Sequence, residues 1–403
     1  MAQPIRTDRS TPGRRFRQHH NRARRAAVAA VRRRRNLLLP ERVAAGAGPK
    51  RGYLQGVTER EMPMSRPPST PGRIVFIGAV HEARPALAAL LGDPRARVVT
   101  VVTPSAERAR GLSGAVDLTE LAGQHGVPVL RSDDINEPAF VAAVRSLEPD
   151  LLVVVGWTRL LGPELLSVPP RGCVGFHASL LPRHRGRAPV NWAILRGETR
   201  TGNTMMFLDP GVDTGDIIDQ HAVPISDDDT CGTVYDRIGT AGGEMLVKHL
   251  LALLAGTAPR HRQDSGNGQM LPRRTPEMGI LDWNRPARAV HDWVRALTKP
   301  YPGAFSTLDG LRVMIWRTLP PAEAKPSGPP GTILAVRHNG ITVATGPGTV
   351  VVTSMSEPDQ APDSAAAWCD RRGIRPGARF SPVAPAVARW ARGEGALPEV
   401  IVS

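Results

Sequence analysis

The chain has 403 residues, 41% hydrophobic and 22% charged, with a net charge of +15. That length accommodates two domains and a sizeable core, while no run approaches the ~18 consecutive apolar residues of a membrane span. The three cysteines, Cys173, Cys231 and Cys369, are widely spaced and form no CxxC pair, which excludes a disulfide scaffold or structural zinc and points to a reduced, cytoplasmic setting.

Fifteen Lys/Arg fall in residues 1–51 against Asp8 and Glu41, so most of the net charge belongs to the N-terminus. Residues 1–72 are rich in Arg, Pro, Ser and Gly and predict a disordered basic extension. Its segment 22-RARRAAVAAVRRRR-35 fits attraction to nucleic acid or membrane, or a solvated tail, or sequence upstream of a start at Met62 or Met64.

Order begins at 73-RIVFIGAV-80, a buried-strand run. A helix over 84–93, a strand over 97–103, a helix over 117–126, a short strand over 127–131, a helix over 137–149 and the apolar strand 150-DLLVVVGW-157 follow. Apolar strands alternating with helices predict a Rossmann-like, doubly wound parallel α/β sheet, which binds ligands at the carboxyl ends of its strands. The turn 78-GAVHEA-83 has one glycine where a dinucleotide fingerprint needs three, which disfavours a nucleotide-dependent oxidoreductase. Strands over 173–177 and 204–209 and a long helix over 230–256 complete a domain spanning 73–258. Residues 259–280 read as a linker. A helix over 286–299 and short strands over 311–318, 331–336, 340–345 and 349–355 predict a small β-barrel domain over 281–392, followed by a tail over 393–403.

His177 closes the strand 173-CVGFH-177 and enters a proline-bounded loop, where an imidazole suits proton transfer. The loop 209-DPGVDTGD-216 offers three carboxylates, and one beside a histidine fixes its tautomer and stabilises the imidazolium. Ser179 lies too close in sequence to His177 to serve readily as its nucleophile and fits a capping or ligand-contacting hydroxyl. The run 183-RHRGR-187 fits either an anion site or a solvated turn.

The motif 177-HASLLPRHRGRAPVNWAI-194, followed by 209-DPGVDTGDI-217, resembles the formyltransferases that use 10-formyltetrahydrofolate. These include methionyl-tRNA formyltransferase and the amino-sugar and hydroxyornithine N-formyltransferases. The resemblance covers roughly 73–390 and includes 273-RRTPEMGILDW-283 and 301-YPGAFSTLDGLRVMIW-316, and it implies an OB-like C-terminal barrel. It implies an Asn-x-His pair and an aspartate, matched by His177 and Asp213, with Gly175 at the asparagine position. It further implies that Arg159, Leu160, Leu161, Ser179, Leu180, Leu181, Pro182, Asp209 and Gly211 contact the folate, that Arg187 lies near the acceptor, and that no metal takes part.

Removal of an oxyanion donor costs ~10²–10³ in rate, so Gly175 is the most serious departure from that pattern. A water, His184 or Asn191 are candidate replacements, and a non-catalytic folate-binding homologue is the alternative. The segments GRAPVNW and YPGAFS look most like the formyltransferase domain acting on 4-amino-arabinose nucleotides. The reading is therefore formyl transfer to a small-molecule amine, an amino-sugar nucleotide or a hydroxyornithine-like amino acid. Methionyl-tRNA is the alternative acceptor.

Overall fold

The computed structural model describes residues 70–264, 268–321, 328–396 and 398. All but the last three residues of the expected disordered extension lie outside these. The first sheet contains β1 (Gly72–Gly78), β2 (Ala96–Thr103), β3 (Val129–Arg131), β4 (Leu151–Val155), β5 (Cys173–His177), β7 (Arg200–Phe207) and β8 (Ile217–Pro224), in the order β3-β2-β1-β4-β5-β7-β8. Between β5 and β7 the pair Arg185–Gly186 forms β6. The pairs among β1 to β5 are parallel, whereas β5–β7 and β7–β8 are antiparallel. The expected parallel sheet is thus a mixed one with an antiparallel edge. Alternation with helices signals parallel strands, but nothing in the composition of β7 gives its direction. The edge strand β8 escaped prediction because its middle, Gln220 and His221, is polar and exposed.

Helix α1 (Ala83–Leu91), α2 (Ala106–Arg110), α3 (Thr119–Gln124), α4 (Pro138–Ser146), α5 (Pro163–Leu166) and α6 (Pro189–Leu195) connect the strands. The long α7 (Cys231–Ala255) starts at a capping box of Thr230 and Thr233 and stops at left-handed Gly256. By length and composition α7 could cross a membrane, yet half of its most apolar window is buried. It packs against α1 and β7, with Lys248 and His249 both on Asp219, as a core helix does. The sheet separates two cores: Ile74, Phe76, Leu87 and Leu246 on one face, and Val75, Ile77, Val144 and Leu165 on the other.

A crossing segment with the two-residue strand β9 (Met270–Leu271) leads into the second domain. This contains α8 (Ala287–Leu297), β10 (Ala304–Leu308), β11 (Leu311–Thr318), β12 (Ile333–Arg337), β13 (Gly340–Ala344), β14 (Thr349–Ser356), β15 (Asp363–Ser364), α9 (Ala365–Arg372) and α10 (Pro385–Ala391). Its antiparallel sheet runs β10-β11-β14-β13-β12, with β15 on β14. The chain at 377–381 bridges the two edges: Phe380 N donates to Gly331 O and Ser381 N to Thr307 O. These bonds close the curled sheet into a small barrel. One apolar core crosses between the domains, joining Trp192, Ile194, Tyr235 and Ile238 to Trp283, Trp293, Val294 and Leu297.

Candidate active site

The strand order reverses between β1 and β4, and a crevice at such a point is where open α/β sheets bind ligands. A cavity of about 930 Å³ opens there. The carboxyl end of β1 contributes Val80, His81 and Glu82, that of β4 Gly156, Trp157 and Thr158, and β5 Gly175 and His177. Leu297, Tyr301 and Gly303 of the second domain close one side.

His177 is buried at 7% exposure. Its Nε2 lies 2.7 Å from the His184 carbonyl oxygen. A carbonyl only accepts, so Nε2 carries the proton and Nδ1 is the atom left for chemistry. Nδ1 faces Asp213 Oδ1 at 3.5 Å. Asp213 adopts left-handed backbone, φ +54°, which turns its carboxylate inward from the loop. The other oxygen, Oδ2, accepts from Gly186 N at 2.8 Å. The carboxylate thus faces the ring nitrogen left free, an arrangement that can stabilise an imidazolium.

Gly175 lies between β4 and β7 on the cavity wall. A Cβ built on it would sit 2.6 Å from Leu208 Cδ2. The Leu208 side chain therefore crowds the point where the polar side chain that the resemblance implies would begin. Neither protein candidate replaces the donor. His184 Nε2 is engaged with Glu198 Oε1 at 3.1 Å, and the Asn191 amide donates to Ala296 O at 2.6 Å. Neither residue lines the cavity.

The other expected contacts divide. Arg159, Leu160, Leu161, Asp209, Gly211 and Arg187 line the cavity. Asn136 fixes the 160–162 turn: it donates to Leu160 O and accepts from Gly162 N. Arg187 donates to Thr158 O at 3.1 Å. Ser179, Leu180, Leu181 and Pro182 are absent from the wall. Ser179 is fully buried and donates to Arg183 O, so its hydroxyl supports the turn. Among the described residues no group of three or more His, Cys, Asp or Glu could hold a metal ion.

Sequence reasoning missed a second set. Within the cavity lining, both His81 ring nitrogens, Glu82 Oε2 and Trp157 Nε1 are buried atoms without a hydrogen-bond partner. Burial pushes the Glu82 carboxyl up, against the attraction of His81 at 3.7 Å. The Tyr301 hydroxyl donates to Tyr235 at 3.1 Å beside them. The signal was available, because His81 and Glu82 directly follow β1 at its carboxyl end.

Fold and site together set a buried histidine and a carboxylate at the cleft of an open α/β sheet, an arrangement suited to proton transfer. Residues 72–250 match the Formyl transferase family, and 273–373 match Formyl transferase, C-terminal domain. The chain is 38% identical over 285 residues, 70% of its length and 89% of the relative's, to methionyl-tRNA formyltransferase of Trichlorobacter lovleyi. It is 39% identical over 285 residues, 70% of this chain and 91% of the other, to that of Acetivibrio thermocellus. HypX from Aquifex aeolicus in complex with tetrahydrofolic acid shares the fold with a TM-score of 0.55 at 21% identity, over 78% of this chain and half of HypX. WlaRD, a sugar 3N-formyl transferase, does so with a TM-score of 0.53 at 17% identity, over 73% of this chain and all of that one. The chain belongs to the formyl transferase family. It is a formyltransferase.

Proposed function

We propose that the chain transfers the formyl group of 10-formyltetrahydrofolate to the aminoacyl amine of methionyl-tRNA. The observation that carries the acceptor is the name borne by relatives that match both domains at 36–39% identity. Charge supports it. Residues 281–392 hold 14 Lys/Arg against 8 Asp/Glu, while 73–258 hold 17 against 21. The second domain is thus basic and the first slightly acidic, a distribution that favours a phosphate backbone against the second domain. Both observations support methionyl-tRNA, the alternative acceptor in the sequence reading, over the small amine.

In this reading the amine attacks the formyl carbon, and its proton passes to His177 Nδ1. Asp213 stabilises the resulting cation. Collapse of the tetrahedral oxyanion expels the folate nitrogen, which takes the proton from His177. The cytoplasm is the corresponding setting.

A second acceptor, a small polar amine, is favoured by the His81 and Glu82 atoms of the cavity lining that have no hydrogen-bond partner. Buried polar groups call for polar partners rather than a thioether.

The test is the full chain with 10-formyltetrahydrofolate and either methionyl-tRNA or a panel of amino-sugar nucleotides and hydroxyornithine, following tetrahydrofolate release by absorbance. Release with methionyl-tRNA that disappears in His177→Ala is the expected result. Release with an amino sugar alone would transfer the assignment to the second reading. Folate binding with no release for any acceptor would make the chain the non-catalytic homologue that Gly175 suggests.

A further inference from the structure

The segment between the domains does more than connect them. It lies along the catalytic domain and is tied to the loop that carries Asp213. At its start, His261 exchanges two backbone hydrogen bonds with Ile217, at 2.8 and 2.9 Å. Further on, β9 pairs in parallel with β6, Met270 with Arg185 and Leu271 with Gly186. Between these anchors Gln263 reaches into the catalytic loop. Its Nε2 donates to Asp213 O at 3.0 Å and to Gly215 O at 2.7 Å. Its Oε1 accepts from Arg185 Nη2 at 2.7 Å.

Asp213 needs such support. Its left-handed backbone costs conformational energy in a residue with a side chain and persists only where the surroundings enforce it. Gln263 holds carbonyl oxygens on both sides of the Thr214 peptide pair. The Gly186 amide holds the carboxylate, and Gly186 is itself held by β9. The Arg185 guanidinium polarises the Gln263 amide, which strengthens its two donor bonds. Thr214 and Gly211 also tie this loop to Asp209, but the hydrogen bonds to Asp213 itself come from Gln263 of the crossing segment and from Gly186, which is paired with it.

We propose that Gln263 is a positioning residue for the reaction, holding Asp213 in register with His177, so that the interdomain segment forms part of the catalytic apparatus. This rests on the formyl-transfer reading only in taking Asp213 as the carboxylate that serves His177.

The experiment compares Gln263→Met and Gln263→Glu in the full chain. Methionine keeps the length and loses every hydrogen bond. Glutamate keeps an acceptor for Arg185 but turns an oxygen on the two carbonyls. Misplacement of a catalytic group costs about ten- to a hundredfold, so kcat should fall by that factor in both variants. Glutamate should be the worse, while KM for folate stays within about twofold of the parent. Amide exchange at Gly186 supplies a readout independent of any acceptor, because that amide is held by the Asp213 carboxylate. It should quicken about tenfold in both variants, as in an Asp213→Ala control, with amides of β1 and β4 unchanged. Unchanged kcat alongside unchanged Gly186 exchange overturns the proposal. If Asp213→Asn and His177→Ala leave turnover intact, the formyl-transfer roles fall instead, while Gly186 exchange still decides whether Gln263 holds Asp213.

Discussion

Leu208 occupies the space that a side chain at position 175 would take: a Cβ on Gly175 would lie 2.6 Å from Leu208 Cδ2 and 3.2 Å from its Cγ. The two residues face each other at the cavity wall from neighbouring chain segments, with Leu208 N bonded to Cys173 O. An apolar side chain thus stands where the asparagine donor implied by the resemblance would begin.

Restoring that donor requires both positions to change. Gly175→Asn alone has to displace Leu208, so we expect a folded but destabilised protein with little gain. Gly175→Asn with Leu208→Ala frees the space, and turnover should rise by ~10²-fold, the inverse of the cost of losing one donor. Tetrahydrofolate release rates for parent, single and double variants check this. No gain in the double variant would place the oxyanion contact away from β5.

His177 and Asp213 should behave as one unit. His177→Ala removes the proton acceptor and should lower kcat by ~10²–10⁴-fold. Asp213→Asn also loses the charge that stabilises the imidazolium and should fall within the same range. The double variant should be little worse than His177→Ala, because the aspartate acts through the histidine.

Asp229 gives an acid-sensitive joint. Burial pushes its carboxyl up, but hydrogen bonds from Arg237, Ser226 and Thr233 outweigh this and hold it well below the usual carboxylate range. A depressed folded-state pKa adds stability that is complete above the unfolded value of about 4 and fades as pH falls toward the folded one. Asp229→Asn should therefore cost about 2 kcal/mol at pH 7 and progressively less below pH ~4. Urea unfolding at both pH values measures it, and equal losses at both would contradict the assignment.

Arg274 pins the domains together. Its guanidinium lies 4.7 Å from the Trp192 ring and 5.2 Å from the Trp293 ring. It donates to Ala391 O and Met278 O, and burial pulls its pKa down to about 10. Arg274→Ala should destabilise by about 2–4 kcal/mol, and Arg274→Lys should recover little, since an ammonium cannot stack or fork. Thermal unfolding of the three proteins decides it; full recovery by lysine would mean that charge alone matters.

The sequence by itself determined the elements that repeat a strong pattern. The apolar strands Ile74–Ile77 and Leu151–Val155, the long helix ending at Gly256 and the Gly-punctuated strands of the barrel were legible because period and turn chemistry are local. The order His177, then Asp213, on two loops was legible as well. What only the tertiary structure decided is non-local. Strand direction at β7, the crowding of Gly175 by Leu208, the burial of His81 and Glu82 in the cavity lining and the reach of Gln263 to Asp213, 50 positions away, all depend on which chain segments fold beside one another. Composition read 259–280 as a linker because its polar and proline-rich residues carry no period. Its side chains nevertheless find partners once the sheet places Asp213 and Arg185 within their reach, and that long-range placement leaves no mark on local sequence.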